Sequence, residues 1–308
     1  MVASMTAADW IERIATVFET SVLHFGHGTD NARDEAAWLV LHVLDVALDG
    51  SFDDWGRAVS ESEGAEIDRL ARARSSTGTP LAYLLGEARF AGLEFEVSPD
   101  VLVPRSPIAE LILDGFRPWA DPARVRRVLD MCTGCGCIAV AAALNLPGAS
   151  VDAVDVSAAA LKIAARNVRR YGLERRVHLL RSDLFHDLPP AAYDLIVANP
   201  PYVPRGQLAG LPPEYRSEPS LGLVSGEDGL EAALRILNRA PFFLARDGIL
   251  ICEVGESEGA LAALLPRMPF LWLEFVRGGS GVFLLTRAQL EETRAAVAAV
   301  IEDRKDVV

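Results

Sequence analysis

Asn199-Pro200-Pro201-Tyr202 closes a short apolar run, Tyr193 to Ala198, and its residue types name a chemistry. The run is β-branched and apolar, which reads as a buried strand. Two consecutive prolines cannot continue a strand ladder, so pairing stops at Asn199. Proline also confines the residue before it to extended backbone, which holds Asn199 at the strand's carboxyl end. There a primary amide and rigid backbone carbonyls can face a substrate NH2 group, with Tyr202 as an aromatic wall. That arrangement suits methyl transfer to an amide or amino nitrogen.

A second constellation is Asp130-Met131-Cys132-Thr133-Gly134-Cys135-Gly136-Cys137, which ends one strand and opens a helix. Gly134 and Gly136 permit a tight turn and close backbone approach to a ligand. Ligands of open α/β sheets bind at the carboxyl ends of the strands. Asp155 ends the next strand, about 20 residues on, where an acid holds ribose hydroxyls. A dinucleotide site looks similar, but Ala139 occupies the place of its third glycine. Together with the Asn-Pro-Pro-Tyr element, the set reads as an S-adenosylmethionine site. Ser182-Asp183-Leu184 follows the third strand, with the carboxylate placed for the adenine amino group and Leu184 for the ring. Helix capping is the alternative role for Asp183. Glu253 ends the fifth strand beside the same crevice, where site support, packing and helix capping all remain open. Cys132 and Cys135 have the spacing of a redox or metal pair. No second ligand pair accompanies them and the five histidines are scattered, so no metal is expected. A thiol at a helix N-terminus can be acidified, which makes Cys135 a secondary candidate for sensitivity to thiol reagents.

Several elements must position these residues. Ile11, Ile14, Phe18 and Val22 recur at helical spacing, as do Ala36, Val40, Val43, Leu44 and Ala47, the second set with Asp30 as a possible cap. A third helix spans 63–74, before the Ser75–Pro80 breaker. Alternating runs from Arg89 to Val103 read as a hairpin. Strands at 125–131, 150–155, 177–181, 193–198 and 248–254 then alternate with helices at 138–146, 157–171, 229–244 and 260–265. Strands near 271–276 and 282–286 leave no room for a helix between them and form an antiparallel edge hairpin. The expected fold class is α/β, a mostly parallel Rossmann-like sheet with a small helical domain before it. The domain limits are 1–85 for the helices, 86–104 for the hairpin linker and 105–308 for the sheet.

The 308 residues give ample core for one or two domains. Half are hydrophobic, yet no apolar run reaches the ~18 residues of a membrane span. No secretory pattern opens the chain, and four cysteines, three of them crowded together, make no disulfide framework. A cytoplasmic location is the natural reading. A net charge of −13 argues against a general nucleic-acid surface and favours a basic partner, although solubility alone also accounts for it.

Thr133-Gly134-Cys135-Gly136, Asp155 and Asn199-Pro200-Pro201-Tyr202 resemble the HemK-like protein-glutamine N5-methyltransferases. The segments Pro80–Gly86 and Val101–Arg105 are similar to that family's linkers. Phe25–Asn31, Arg105–Ile108, Pro213–Pro219 and Trp272–Phe275 resemble its branch acting on large-subunit ribosomal protein three. Cys135, Pro204 and Ser217 depart from the usual pattern and bear only on finer contacts. The resemblance implies a class I fold using S-adenosyl-L-methionine, with S-adenosyl-L-homocysteine as product. It implies cofactor contacts from Asp130, Cys132, Thr133, Gly134, Cys135, Gly136, Asp155, Val156, Ser182, Asp183, Leu184 and Asn199. It makes Asn199 and Pro200 catalytic, with Pro201 and Tyr202 completing the substrate-binding set. The implied partner is a basic ribosomal protein met before or during ribosome assembly, with no direct nucleic acid and no membrane. Three rivals stay open: a release factor's glutamine as substrate, adenine-N6 methylation, and a non-catalytic cofactor-binding assembly factor. The acidic balance weighs against adenine, and the intact tetrapeptide against a pure binder.

Overall fold

Thr6 starts the first helix with a capping box: its hydroxyl accepts from Asp9 N at 3.2 Å, and Thr6 N donates to the Asp9 carboxylate at 2.9 Å. The computed structural model describes residues 5–47 and 50–305. Its first elements are α1 (Ala7–Glu19), α2 (Ala32–Val43), α3 (Glu61–Thr77), α4 (Leu81–Leu85), β1 (Glu87–Phe90) and β2 (Leu93–Glu96). Ile11, Ile14 and Phe18 are buried as their spacing requires, but α1 ends at Glu19 and Val22 lies beyond it, 96% exposed. The cap of α2 is Asn31, not Asp30: the Asn31 side chain accepts from Asp34 N at 2.9 Å from an extended backbone. Ala47 lies past the end of α2. The hairpin is shorter than its sequence pattern, pairing only Glu87–Phe90 with Leu93–Glu96.

Two compact units divide the chain. The first holds the residues up to Pro99 together with Val103–Arg105 and Leu211–Glu218; the second holds Asp100–Leu102, Ser106–Gly210 and the chain from Pro219. Within the first unit Arg74 is 1% exposed and all three of its guanidinium nitrogens donate. It donates to Glu35 at 2.5 Å, to Glu214 at 3.0 Å and to the His24 carbonyl at 2.9 Å. A buried guanidinium is tolerable only when its donors are spent in this way.

The second unit runs α5 (Ile108–Leu113), β3 (Arg127–Met131), α6 (Cys137–Asn145), β4 (Ser150–Asp155), α7 (Ala158–Arg170), β5 (Val177–Arg181) and β6 (Tyr193–Ala198). It continues through α8 (Ser220–Leu223), α9 (Glu231–Arg239), β7 (Leu244–Glu253), α10 (Glu258–Leu264), β8 (Leu271–Trp272), β9 (Val282–Thr286) and α11 (Arg287–Lys305). The strand order is β5-β4-β3-β6-β7-β9-β8. The first five strands are parallel, while β9 is antiparallel to both β7 and β8. Both the parallel sheet and the antiparallel edge hairpin therefore form, with β9 inserted between β7 and β8. Helix α6 contacts both α5 and α7, and α9 contacts α11.

In the second unit α5 and α8 form where no helix was expected, β7 starts at Leu244 and not at 248, and α9, β8 and α11 differ as well. α9 ends at Arg239 because Pro241 follows, and a 3-10 turn over Ala240–Phe242 leads straight into β7 at Leu244. β8 is only two residues long. The 19-residue α11 was not expected, yet its Leu290 and Val297 are 1% exposed and sit in the core with Leu234 and Leu285. Among the described residues no helix is long and apolar enough to cross a membrane.

Candidate active site

Strand register brings the candidate residues together. Met131 pairs with Ala198, so the loop after β3 and Asn199 leave neighbouring strand ends. Asp155 pairs with Arg181, which sets Val156 beside Ser182, and Ala198 pairs with Cys252, which sets Asn199 beside Glu253. All lie at the carboxyl edge of the parallel strands, where helix crossovers leave a crevice.

The β3 loop is shaped by left-handed backbone at Cys132 (φ 63°), Gly134 (55°) and Gly136 (83°). A non-glycine residue there is uncommon and marks an imposed conformation. The loop is tied down on every side. Thr133 N donates to Val154 O at 2.9 Å, Gly134 N to Asp155 Oδ2 at 2.9 Å, and Asn167 Nδ2 to Cys135 O at 2.9 Å. Gly136 leaves little room, since a Cβ there would stand 3.2 Å from Ala164 Cβ on α7.

Two carboxylates face this loop. Asp130 is completely buried; its Oδ2 accepts from Thr133 Oγ1 at 2.5 Å and from Ala139 N at 3.0 Å. Its Oδ1 has no hydrogen-bond partner among the described residues. Burial pushes the Asp130 carboxyl up to about 7 despite those donors. Asp155 Oδ1 accepts from Ser157 N at 2.8 Å, and burial raises this carboxyl too, against its backbone donors. Val156 beside it is 41% exposed, so its side chain reaches the surface at this strand end.

Ser182 is buried and accepts from Asp187 N at 2.9 Å. Asp183 is paired with Arg235 of α9 at 2.7 Å, a partner its neighbourhood in sequence does not announce. Leu184 is buried with φ 51°, a second strained non-glycine position at the crevice. Asn199 is half-buried and Pro200 buried, with Pro201 and Tyr202 half-buried behind them. The Tyr202 hydroxyl donates to Glu253 Oε1 at 3.1 Å, so Glu253 is bonded to the tetrapeptide and not merely packed near it. Ser257 and Gly255, which also converge on this corner, carried no sequence signal beyond an acid-then-glycine pattern after a strand, while Ser106 stood only in the Arg105–Ile108 string of the branch resemblance.

All four cysteines are free. Cys135 is 2% exposed, which closes the access that reactivity toward thiol reagents requires. Burial first, then the neighbouring Asp155, raises the Cys132 thiol well above its usual range. A hydrogen bond with Cys135, then burial, does the same for Cys137. These groups behave as small fillers of a tight loop.

The donor set fits S-adenosylmethionine: a carboxylate at the second strand end for ribose hydroxyls, an orphaned buried carboxyl oxygen for a cationic amino group, and an apolar shelf for adenine. Sheet order and crevice together define a class I methyltransferase. Residues 24–86 match the PrmC N-terminal domain family, and residues 110–209 match the Methyltransferase small domain family. The ribosomal protein uL3 glutamine methyltransferase of Bordetella pertussis is 46% identical over 286 residues, 92% of this chain and 96% of its own. That of Xanthomonas campestris pv. campestris is 46% identical over 300 residues, 97% of each. Among solved structures, the hMettl16 catalytic domain in complex with MAT2A 3'UTR hairpin 1 is similar with a TM-score of 0.51 at 17% identity, covering 82% of this chain and 90% of that one. At that identity the likeness shows the fold alone. The chain belongs to the ribosomal protein uL3 glutamine methyltransferase family, and its methyl donor is S-adenosylmethionine.

Proposed function

We propose that this enzyme methylates the side-chain nitrogen of a glutamine in ribosomal protein uL3. The observation that carries the reading is the placement of Asn199-Pro200-Pro201-Tyr202 at the end of β6, one strand from the Asp130–Gly136 loop. When bound, S-adenosylmethionine supplies an electrophilic methyl group. Asp155 would hold its ribose, Asp130 and the Cys132–Gly136 loop its amino-acid end, and Val156, Ser182, Asp183 and Leu184 its adenine. Asn199 lies at the junction of cofactor and substrate.

A carboxamide nitrogen is a poor nucleophile because its lone pair is delocalised into the carbonyl. The Asn199 side-chain carbonyl and the Pro200 backbone carbonyl each accept a hydrogen bond from the substrate NH2. That fixes the nitrogen near its attack geometry and favours the pyramidal form as positive charge develops. The N-methylated amide cation is acidic enough to lose its proton without a strong base. Tyr202 packs against the amide plane.

The helical residues 1–85 select the protein substrate, 86–104 link, and 105–308 catalyse. Residues 1–99 carry 17 acidic and 7 basic side chains, which supports a basic partner; our reading places the encounter before or during ribosome assembly in the cytoplasm. The test is labelled methyl transfer to purified uL3 and, separately, to a release factor, with mass spectrometric site mapping. Label on a glutamine of uL3 alone supports the reading; label on the release factor alone overturns the substrate.

A further inference from the structure

Tyr202 is gripped from three directions by the segment that leaves β7. Its hydroxyl donates to Glu253 Oε1 at 3.1 Å, and its backbone carbonyl accepts from Ser257 Oγ at 3.0 Å. Its ring lies against Gly255, where an added Cβ would come within 2.6 Å of Cε2. Gly255 also has φ 49°, so the close approach and the turn both demand glycine. Glu253 itself is 3% exposed, and its second oxygen accepts from Ser106 Oγ at 2.5 Å.

A tyrosine that served only as an apolar wall would need none of this. Burying a carboxylate is costly unless both its oxygens are hydrogen-bonded, and here one of those bonds comes from the phenol. Phenylalanine would offer the same face to a substrate and lose the bond to that carboxylate. A ring locked at its tip by a hydrogen bond and at its root by a held carbonyl keeps one plane.

We infer that Glu253, braced by Ser106, is a positioning residue that fixes the plane of Tyr202 against the substrate carboxamide. It touches neither substrate nor cofactor; it acts through the phenol. The inference rests on the amide-methylation reading for its kinetic half and on geometry alone for its structural half.

Two measurements on the full chain test it. The first is the ¹³C spectrum of Cζ-labelled tyrosine, in which Tyr202, one of five tyrosines, is assigned by its loss in Y202F. Its resonance moves in E253A and stays near the wild-type position in E253Q, whose amide carbonyl still accepts from the phenol. An unmoved resonance in E253A overturns the inference whether or not uL3 is the substrate. The second is a kinetic cycle of Y202F, E253A and their double variant. Y202F and E253A each lower kcat by about tenfold or more, as loss of orientation does. Cofactor affinity is unchanged, E253Q recovers most of the rate, and the double variant is no slower than the worse single one. Wild-type kcat in Y202F overturns the inference even where E253A does not fold. Losses that multiply in the double variant overturn it as well, since they place Glu253 on a separate task.

Discussion

Arg105 grips Glu218 with a two-pronged fork, Nη1 to Oε1 at 2.6 Å and Nη2 to Oε2 at 2.5 Å. The same carboxylate accepts from Val103 N at 3.0 Å, and His27 Nε2 lies 3.5 Å from Oε2, an electrostatic contact longer than a good hydrogen bond. Tyr215 stands between these groups, with the His27 ring edge-on at 4.7 Å and the Arg105 guanidinium over its face at 5.0 Å. Burial pushes the Glu218 carboxyl up, but His27 and Arg105 outweigh it and hold it at about 2, against 4.5 unperturbed.

A folded pKa below the unfolded one gives stability that is complete above 4.5 and lost as pH falls through 2. The difference corresponds to about 3 kcal/mol at neutral pH. E218Q should therefore be less stable by roughly that amount at pH 7, and the gap should close as pH falls from 4.5 toward 2. Urea unfolding across that range checks it; a gap that does not change with pH would assign the loss to packing.

Asp130 makes the opposite prediction. Burial pushes its carboxyl up to about 7, and its Oδ1 has no hydrogen-bond partner among the described residues. A cationic amino group binding there favours the ionised form. Cofactor affinity should rise up to about fivefold between pH 6 and 7 and level off above, with proton release below pH 7. Calorimetry in buffers of different ionisation heat reads both effects. D130N should bind more weakly at pH 8 and lose the pH dependence; an unchanged slope in D130N would assign the titration to another group.

Gly136 separates two costs of a side chain in left-handed backbone. G136A meets Ala164 Cβ at 3.2 Å and Cα at 3.4 Å, whereas Gly172, also left-handed, opens onto empty space. G172A should lose about 1 kcal/mol from conformation alone. G136A should lose more and weaken cofactor binding besides, since its loop must shift. Thermal melts with and without cofactor distinguish them, and equal losses would show that α7 yields to the new methyl.

Much of the site was legible because its signals are local. Strand ends, glycine turns and the two prolines after Asn199 are written in adjacent residues, and parallel register then places them at one edge. The contacts that brace the site are not local. Glu253 and Tyr202 lie 51 residues apart, and Asp183 and Arg235 lie 52 apart, so no periodicity reveals either pair. The motifs at Phe25–Asn31 and Pro213–Pro219 were conspicuous as strings, but only the structure shows His27 of one meeting Glu218 and Tyr215 of the other. α11 went unread because its apolar positions are sparse among charged and alanine residues; Leu290 and Val297 are buried by tertiary packing.

The most direct test of the account is the single-turnover rate of N199A on uL3, measured beside its cofactor affinity by calorimetry. If the Asn199 carbonyl orients the attacking amide, the rate falls about a hundredfold or more while cofactor affinity stays within about threefold. A near wild-type rate would contradict the account and remove the tetrapeptide from the chemistry.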